Sequence, residues 1–191
     1  MPTEPHIYLF DNLDSLEDDF VTKNLPRLPT FRQEQCAKYK RVSDKQNCII
    51  AYLLLEQGLR AQYGITTPVS FIYNKHGKPY LREHPNIFFN VSHCKHGVIC
   101  GLGDVEIGVD IQDIRPFKWN VARRVCSKSE LLELEEAEDP SRLFCMMWAK
   151  REAYAKARGV SVASVLQLEL EDATISTWEY ENYCIAWYSL Y

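Results

Sequence analysis

Two hydrophobic periods run along this chain. Alternation with a period of two marks strands, and apolar spacings of three and four mark helices. HIYLF, from His6 to Phe10, reads as a strand. An acidic segment follows from Asp11 to Asp19, and Pro26 and Pro29 break the chain ahead of a helical region. Ser43 and Gln46 have the S-x-x-Q spacing of a capping box in front of DKQNCIIAYLLLEQGLRAQYG. Ile49, Ile50, Leu53 and Leu54 share one side of that helix, and Gly64 is a natural stop. VSFIY and NIFFNVSH are strand-like, and NKHGKPYLREHP between them reads as a loop from its Gly and Pro content. Val98 to Leu102 has the pattern of a hairpin's return strand.

The second half opens near Asp104 with the strand VEIGVDI. Ser127 and Glu130 make another capping box ahead of a short acidic helix. Asp139 and Pro140 fit the N-cap and first position of a longer helix ending at Gly159. The runs LQLEL, TISTWEY and YCIAWYSLY finish the chain as strands. Each half thus carries a helix and strands, with no linker between them and no repeat at residue level. The expected class is α+β, built as a pseudo-duplicated pair, with residues 1–103 as the N-terminal half and 104–191 as the C-terminal half.

Composition narrows the function classes. A chain of 191 residues can bury a real core, and its net charge of −4 argues against a generic nucleic-acid binder. The seven cysteines are scattered singly with no C-x-x-C, as reduced thiols in a cytoplasmic protein would be. No basic region followed by an apolar run marks a signal peptide, and no apolar stretch is long enough to span a bilayer. The expectation is a cytoplasmic monomer with neither nucleic acid nor membrane as partner.

Three stretches carry chemistry. In VEIGVDIQ, Val105, Ile107, Val109 and Ile111 point to the core, and Glu106, Gly108, Asp110 and Gln112 point the other way. Gly108 leaves space beside Asp110, which suits a ligand's close approach. The bland reading is an amphipathic edge strand with solvated polar residues. In the long helix, Phe144, Trp148, Glu152 and Lys156 recur at i+4 along one stripe. An exposed Glu–Lys pair is worth only about 0.2–0.5 kcal/mol, but the aromatic residues put this pair at the rim of buried surface. The carboxylate can hold a metal and the ammonium a phosphate. In FFNVSHCKHGVIC, Asn90, Ser92 and His93 lead into a hairpin turn. His93, Cys94, His96 and Cys100 invite a zinc reading, but their spacing fits none of the usual frameworks. A hydrolase reading of Ser92 and His93 fails, because adjacent strand residues point apart and no nucleophile elbow is present.

Taken in series, HGKPYL (His76–Leu81), FNVSH (Phe89–His93), IGVDIQ (Ile107–Gln112) and WAKREAYAK (Trp148–Lys156) resemble the 4′-phosphopantetheinyl transferases of the surfactin-synthetase-activating (Sfp) type in order, spacing and residue type. The resemblance covers about residues 30 to 170. It implies two similar α+β halves with the active site between them. It also implies transfer of the 4′-phosphopantetheine arm of coenzyme A to a serine of an apo acyl or peptidyl carrier protein. That reaction is Mg²⁺-dependent and releases adenosine 3′,5′-bisphosphate.

Residue by residue, the resemblance assigns Gly77, Lys78 and Pro79 to the adenine end of coenzyme A. Ser92 and His93 fall to the nucleotide phosphates, and Arg32 and Lys45 to the 3′-phosphate. Asp110 and Glu152 match the metal acids, with Glu152 also placed to accept the serine proton. Lys156 matches the phosphate-binding lysine. A pyrophosphate calls for a hard cation with oxygen ligands, which two carboxylates from different elements supply. The family often has DIE where this chain has DIQ, so Gln112 brings a neutral oxygen to the metal or orients a bound water. Arg151 stands where lysine is common. In RPFKWNVARRVCSK, Arg115, Lys118, Arg123, Arg124 and Lys128 interleave with Phe117, Trp119 and Val121, a basic and apolar mix suited to docking a carrier helix. Two alternatives are a catalytically weak coenzyme A or carrier-protein binder of the same fold, and a zinc module.

Overall fold

In chain order the elements are β1 (His6–Phe10), α1 (Phe20–Asn24), α2 (Thr30–Ala37), α3 (Val42–Tyr63), β2 (Phe71–Tyr73), β3 (Pro79–Leu81), β4 (Phe88–His93), β5 (Val98–Gly103), β6 (Ile107–Asp113), α4 (Trp119–Val125), α5 (Lys128–Glu136), α6 (Pro140–Arg158), β7 (Ile175–Glu179) and β8 (Tyr183–Ser189). They come from a computed structural model that describes residues 4–170 and 175–190. Thr174, at the head of TISTWEY, and Tyr191, at the end of the last expected strand, lie outside the described residues.

Strands and helices segregate into an α+β fold. β1, β5 and β4 form one antiparallel sheet in that order, and β6, β8 and β7 form another. One face of β5 presents Val98, Cys100 and Leu102 to a cluster shared with Ile49, Tyr52, Leu55 and Leu59 of α3. Ile99, on the opposite face, joins Ile107, Val109, Ile111 and Ile185 of the second sheet. On that second sheet's far side, Cys145, Met146, Ala149, Ala153 and Ala157 of α6 meet Cys184, Ala186 and Tyr188 of β8. The stack is therefore helix, sheet, sheet, helix, with an apolar layer between each pair. Two glycines set its spacing. A Cβ at Gly101 would lie 2.5 Å from Val109 Cγ1, so the bare backbone lets the sheets close together. A Cβ at Gly108 would lie 2.0 Å from the Ala153 carbonyl oxygen and 2.3 Å from the Ala157 nitrogen. The space beside Asp110 is thus filled by the backbone of α6 and is not left for a ligand.

Several local signals act as expected. Gly64 and Gly159 end α3 and α6 in the left-handed conformation, at φ 66° and 62°. Ser127 and Glu130 close a reciprocal capping box on α5, and the Asp139 side chain caps α6 ahead of Pro140. Others differ. Ser43 lies inside α3, which starts after an extended Arg41 with no side-chain cap. The loop between the VSFIY and NIFFNVSH runs contains β3, which pairs with β2 through Phe71 and Leu81. LQLEL is not a strand. Its Gln167 takes a positive φ of 60°, and the Leu168 carbonyl is drawn to the Arg151 guanidinium. Among the described residues, no helix is long and apolar enough to cross a membrane.

Candidate active site

The two sheets meet at a seam where β4 and β6 come together, and side chains bridge it in place of a backbone ladder. Asn90 Oδ1 accepts the Val109 N–H at 2.9 Å. One residue further, Asp110 points into the space between β4 and α6, with only 1% of its surface exposed. Its Oδ1 accepts the Ser92 hydroxyl at 2.7 Å and the Lys156 ammonium at 2.5 Å. Its Oδ2 accepts the Gln112 amide N–H at 2.7 Å. Lys156 also reaches the Ser92 hydroxyl at 3.0 Å, the Val109 carbonyl at 3.3 Å and Glu152 Oε2 at 3.9 Å. An ammonium held between two carboxylates thus sits where β4, β6 and α6 converge. Asp110 is no solvated edge residue, because each oxygen of so deeply buried a charge is hydrogen-bonded.

Sequence periodicity accounts for this meeting. Period two puts Asp110 and Gln112 on one face of β6, and the i+4 stripe puts Glu152 and Lys156 on one face of α6. Burial pushes the Glu152 carboxyl above its usual range; the Lys156 ammonium opposes that rise and the Asp110 charge adds to it. Burial and the Lys156 charge hold the His93 imidazole low, against the pull of Asp44 and Asp110. The Asn47 amide nitrogen lies 3.3 Å from His93 Nδ1. Ser92 and His93 therefore reach different partners, as neighbours on a strand must. Asn90 and Asn47 are both buried; Asn90 was read only as leading into the hairpin turn, and Asn47 went unread in the sequence. Asn47 lies one turn after Ser43 on α3, with nothing local to mark it.

The remaining expected contacts separate into groups. Arg32, Gly77 and Pro79 line one groove of about 190 Å³ with Tyr52, Phe71 and Phe89. The Arg32 guanidinium is turned inward, donating to the Cys48 carbonyl at 3.0 Å and standing over the Tyr52 ring. Lys45 lies in the first turn of α3, where its carbonyl accepts the Cys36 thiol. Lys78 departs most from expectation. Its ammonium faces the interior, bonded to Glu106, to the Ala157 carbonyl at 2.8 Å and to the Ile107 carbonyl at 3.2 Å. Only the backbone of the Gly77–Lys78–Pro79 turn is left to meet a ligand there. The four-residue zinc set does not assemble either. Cys100 is fully buried, and His93 turns to Asn47.

The basic and apolar stretch around α4 lies on the surface. Trp119 and Val121 are exposed, and so are Arg115, Lys118, Arg123, Arg124 and Lys128. A groove of about 340 Å³ runs from Gln112 past Arg115 and Phe117 to Phe144 and Trp148. It leads away from the Asp110 cluster along the aromatic part of the α6 stripe.

Residues 106–190 match the family model described as the 4′-phosphopantetheinyl transferase superfamily. A 4′-phosphopantetheinyl transferase of Bacillus subtilis is 26% identical over 157 residues, covering 80% of this chain and 68% of that protein. The 4′-phosphopantetheinyl transferase Sfp of Bacillus subtilis (strain 168) is 26% identical over 131 residues, covering 67% of this chain and 58% of its own length. The 4′-phosphopantetheinyl transferase AcpT of Escherichia coli O157:H7 is 30% identical over 124 residues, covering 60% of this chain and 63% of AcpT. The chain thus spans between 58% and 68% of the length of these relatives. The family match covers residues 106–190, under half of the chain, and over most of its length the chain is similar to 4′-phosphopantetheinyl transferases.

Proposed function

We propose that this protein transfers the 4′-phosphopantetheine group of coenzyme A to a serine of an apo acyl or peptidyl carrier protein. The observation that carries the reading is the Lys156 ammonium set between Asp110 and Glu152 at the seam of the two sheets. The serine oxygen bonds to the phosphorus that bears pantetheine. The pyrophosphate P–O bond breaks, and adenosine 3′,5′-bisphosphate leaves. Phosphoryl transfer depends on positioning and on offsetting charge more than on covalent chemistry. Lys156 offsets charge on the pyrophosphate. Glu152, with its raised pKa, takes the serine proton. Ser92 and His93 meet the nucleotide phosphates. The Gly77–Pro79 turn holds the adenine end, with Arg32 and Lys45 near the 3′-phosphate. The carrier docks on the basic and apolar surface of α4, beside the groove that starts at Gln112.

The donor set suits Mg²⁺. Asp110 and Glu152 offer carboxylate oxygens, Gln112 has a free carbonyl oxygen, and the site already holds a cation in the Lys156 ammonium. When bound, Mg²⁺ supplies charge neutralisation at the pyrophosphate oxygens. The test of the whole reading is incubation with coenzyme A, Mg²⁺ and a panel of apo carriers, followed by intact mass. A mass gain of one phosphopantetheine on a carrier serine is expected. Binding of coenzyme A or carrier with no mass gain on any of them would leave a binding protein of the same fold.

Gln112 supports Asp110 with an N–H where a glutamate would oppose it. Gln112→Glu is therefore expected to lower thermal stability without Mg²⁺, since two carboxylates would face each other, and to regain it when Mg²⁺ is added. One added charge at close range should lower the half-saturating Mg²⁺ concentration about threefold to tenfold. Gln112→Ala should cost less activity than Asp110→Ala, because water replaces an amide more easily than a buried charge. A Mg²⁺ titration of melting temperature and transfer rate reads both. An unchanged Mg²⁺ midpoint for Gln112→Glu would remove this side chain from the cation's surroundings.

A further inference from the structure

On the opposite face of β6 from Asp110 and Gln112, three metal-ligating side chains converge. Cys94 and His96 come from the turn between β4 and β5, and Asp113 from the end of β6. Their ligand atoms all lie within 4.8 Å of one another, and they are the one such group of three among the described residues. We propose that Cys94, His96 and Asp113 form a zinc site that clips the hairpin turn of the first sheet to β6 of the second. It does not rest on the transferase reading.

The ligand chemistry selects the ion. A thiolate, an imidazole and a carboxylate suit a borderline cation such as Zn²⁺, whereas Mg²⁺ prefers oxygen alone. Tetrahedral zinc with bonds of about 2.0–2.3 Å holds its ligand atoms roughly 3.3–3.8 Å apart. The thiol, the imidazole and the carboxylate already lie within 4.8 Å of one another, so small side-chain shifts reach that spacing. The closest pair is His96 Nδ1 and Asp113 Oδ1 at 2.8 Å, which the ion would part slightly. Entry is open, since the side chains of His96 and Asp113 are 34% and 26% exposed. A water can take the fourth position.

The set is also held in place. Cys94 N–H donates to the Gly97 carbonyl at 2.9 Å and closes the turn. The Lys95 N–H donates to both Asp113 oxygens, at 3.2 and 3.3 Å, which orients the carboxylate. The His96 ring stacks on Tyr183, whose hydroxyl donates to Asp11 Oδ2 at 2.8 Å. Such outer contacts are what fix the geometry of metal ligands. Without metal, burial and the Asp113 contact push the Cys94 thiol up to about 12. Zinc binding must then release that proton to solvent.

The experiment loads EDTA-treated native protein with ZnCl₂, CoCl₂ or MgCl₂ and removes excess metal. About one tightly held zinc per chain and a melting temperature about 5–10 °C higher are expected, with no such gain from MgCl₂. The cobalt form of the native protein should show thiolate-to-metal charge transfer and tetrahedral ligand-field bands. Cys94→Ser, His96→Gln and Asp113→Asn, each checked for folding by circular dichroism, should lose the zinc and the thermal gain. Glu152→Gln should keep both. Less than about one zinc per ten native chains after loading, with no cobalt–thiolate band, overturns the proposal. So does full retention of zinc by folded Cys94→Ser and Asp113→Asn. The native cobalt spectrum decides the matter alone if every variant misfolds.

Discussion

Asp110→Asn is expected to lower kcat/KM for transfer by about a hundredfold or more, because it removes the one carboxylate that Ser92, Gln112 and Lys156 all address. Its effect has two parts. Losing the charge strips the site of cation-binding capacity, and it also leaves the Lys156 ammonium without its closest partner. Breaking a buried pair by removing one member costs about 3–5 kcal/mol, so the melting temperature should fall as well. Glu152→Gln separates the two parts. Glu152 lies 3.9 Å from Lys156 and is 23% exposed, so its contribution to stability is small. Its loss of activity should nonetheless be on the order of a hundredfold if it accepts the serine proton. A pH profile adds a second readout. With its pKa raised by burial, the native rate should fall as pH drops through that pKa, and Glu152→Gln should flatten that limb. Near-normal turnover of folded Glu152→Gln, with the acid limb intact, would take Glu152 out of the proton-transfer role.

What the sequence disclosed about this cluster follows from how periodicities work. Alternation along β6 and the i+4 stripe along α6 are local properties, and each aims its side chains whatever the rest of the chain does. Asp110, Gln112, Glu152 and Lys156 could therefore be paired from the sequence without knowing the fold. Helix ends were legible for the same reason, since Gly64, Gly159 and the Ser127–Glu130 box act within one turn.

The misreadings have the opposite character. Gly108 looked like room for a ligand because its neighbour across the gap, the Ala153–Ala157 backbone, comes more than forty residues later. Lys78 looked available because the carboxylate that draws it inward, Glu106, lies far along the chain, just ahead of β6. LQLEL has the composition of a strand, yet it follows α6 where the Arg151 fork and a positive φ at Gln167 hold it irregular. Cys94 and His96 were visible as ligands, but Asp113, the residue that completes the group, sits one strand away on the face opposite Asp110. Local chemistry names candidates; only the tertiary path decides which of them face the same space.

Arg151 illustrates that division and carries the largest expected effect on stability. A substitution for lysine at the surface of a helix would be mild. Here the side chain is fully buried, and its guanidinium forks onto Glu130, at 2.6 Å to Oε1 and 2.5 Å to Oε2. The same group donates to the Leu168 carbonyl at 2.9 Å. Glu130 in turn accepts the Ser127 N–H that starts α5, so one guanidinium joins α6, the cap of α5 and the segment after α6. Lysine has no planar fork and can keep only part of this. Arg151→Met should cost about 3–5 kcal/mol, because it strands a mostly buried carboxylate. For a chain of this size that lowers the melting temperature by roughly 6–20 °C, and Arg151→Lys should fall part of the way. The double variant Arg151→Met with Glu130→Leu should recover much of the loss, since replacing both members of a buried pair removes the unpaired charge. Thermal unfolding of these three variants and of Glu130→Leu alone reads the cycle. A drop under about 2 °C for Arg151→Met would mean that the fork is replaceable by water. A double variant no better than Arg151→Met would place its value in packing and not in charge.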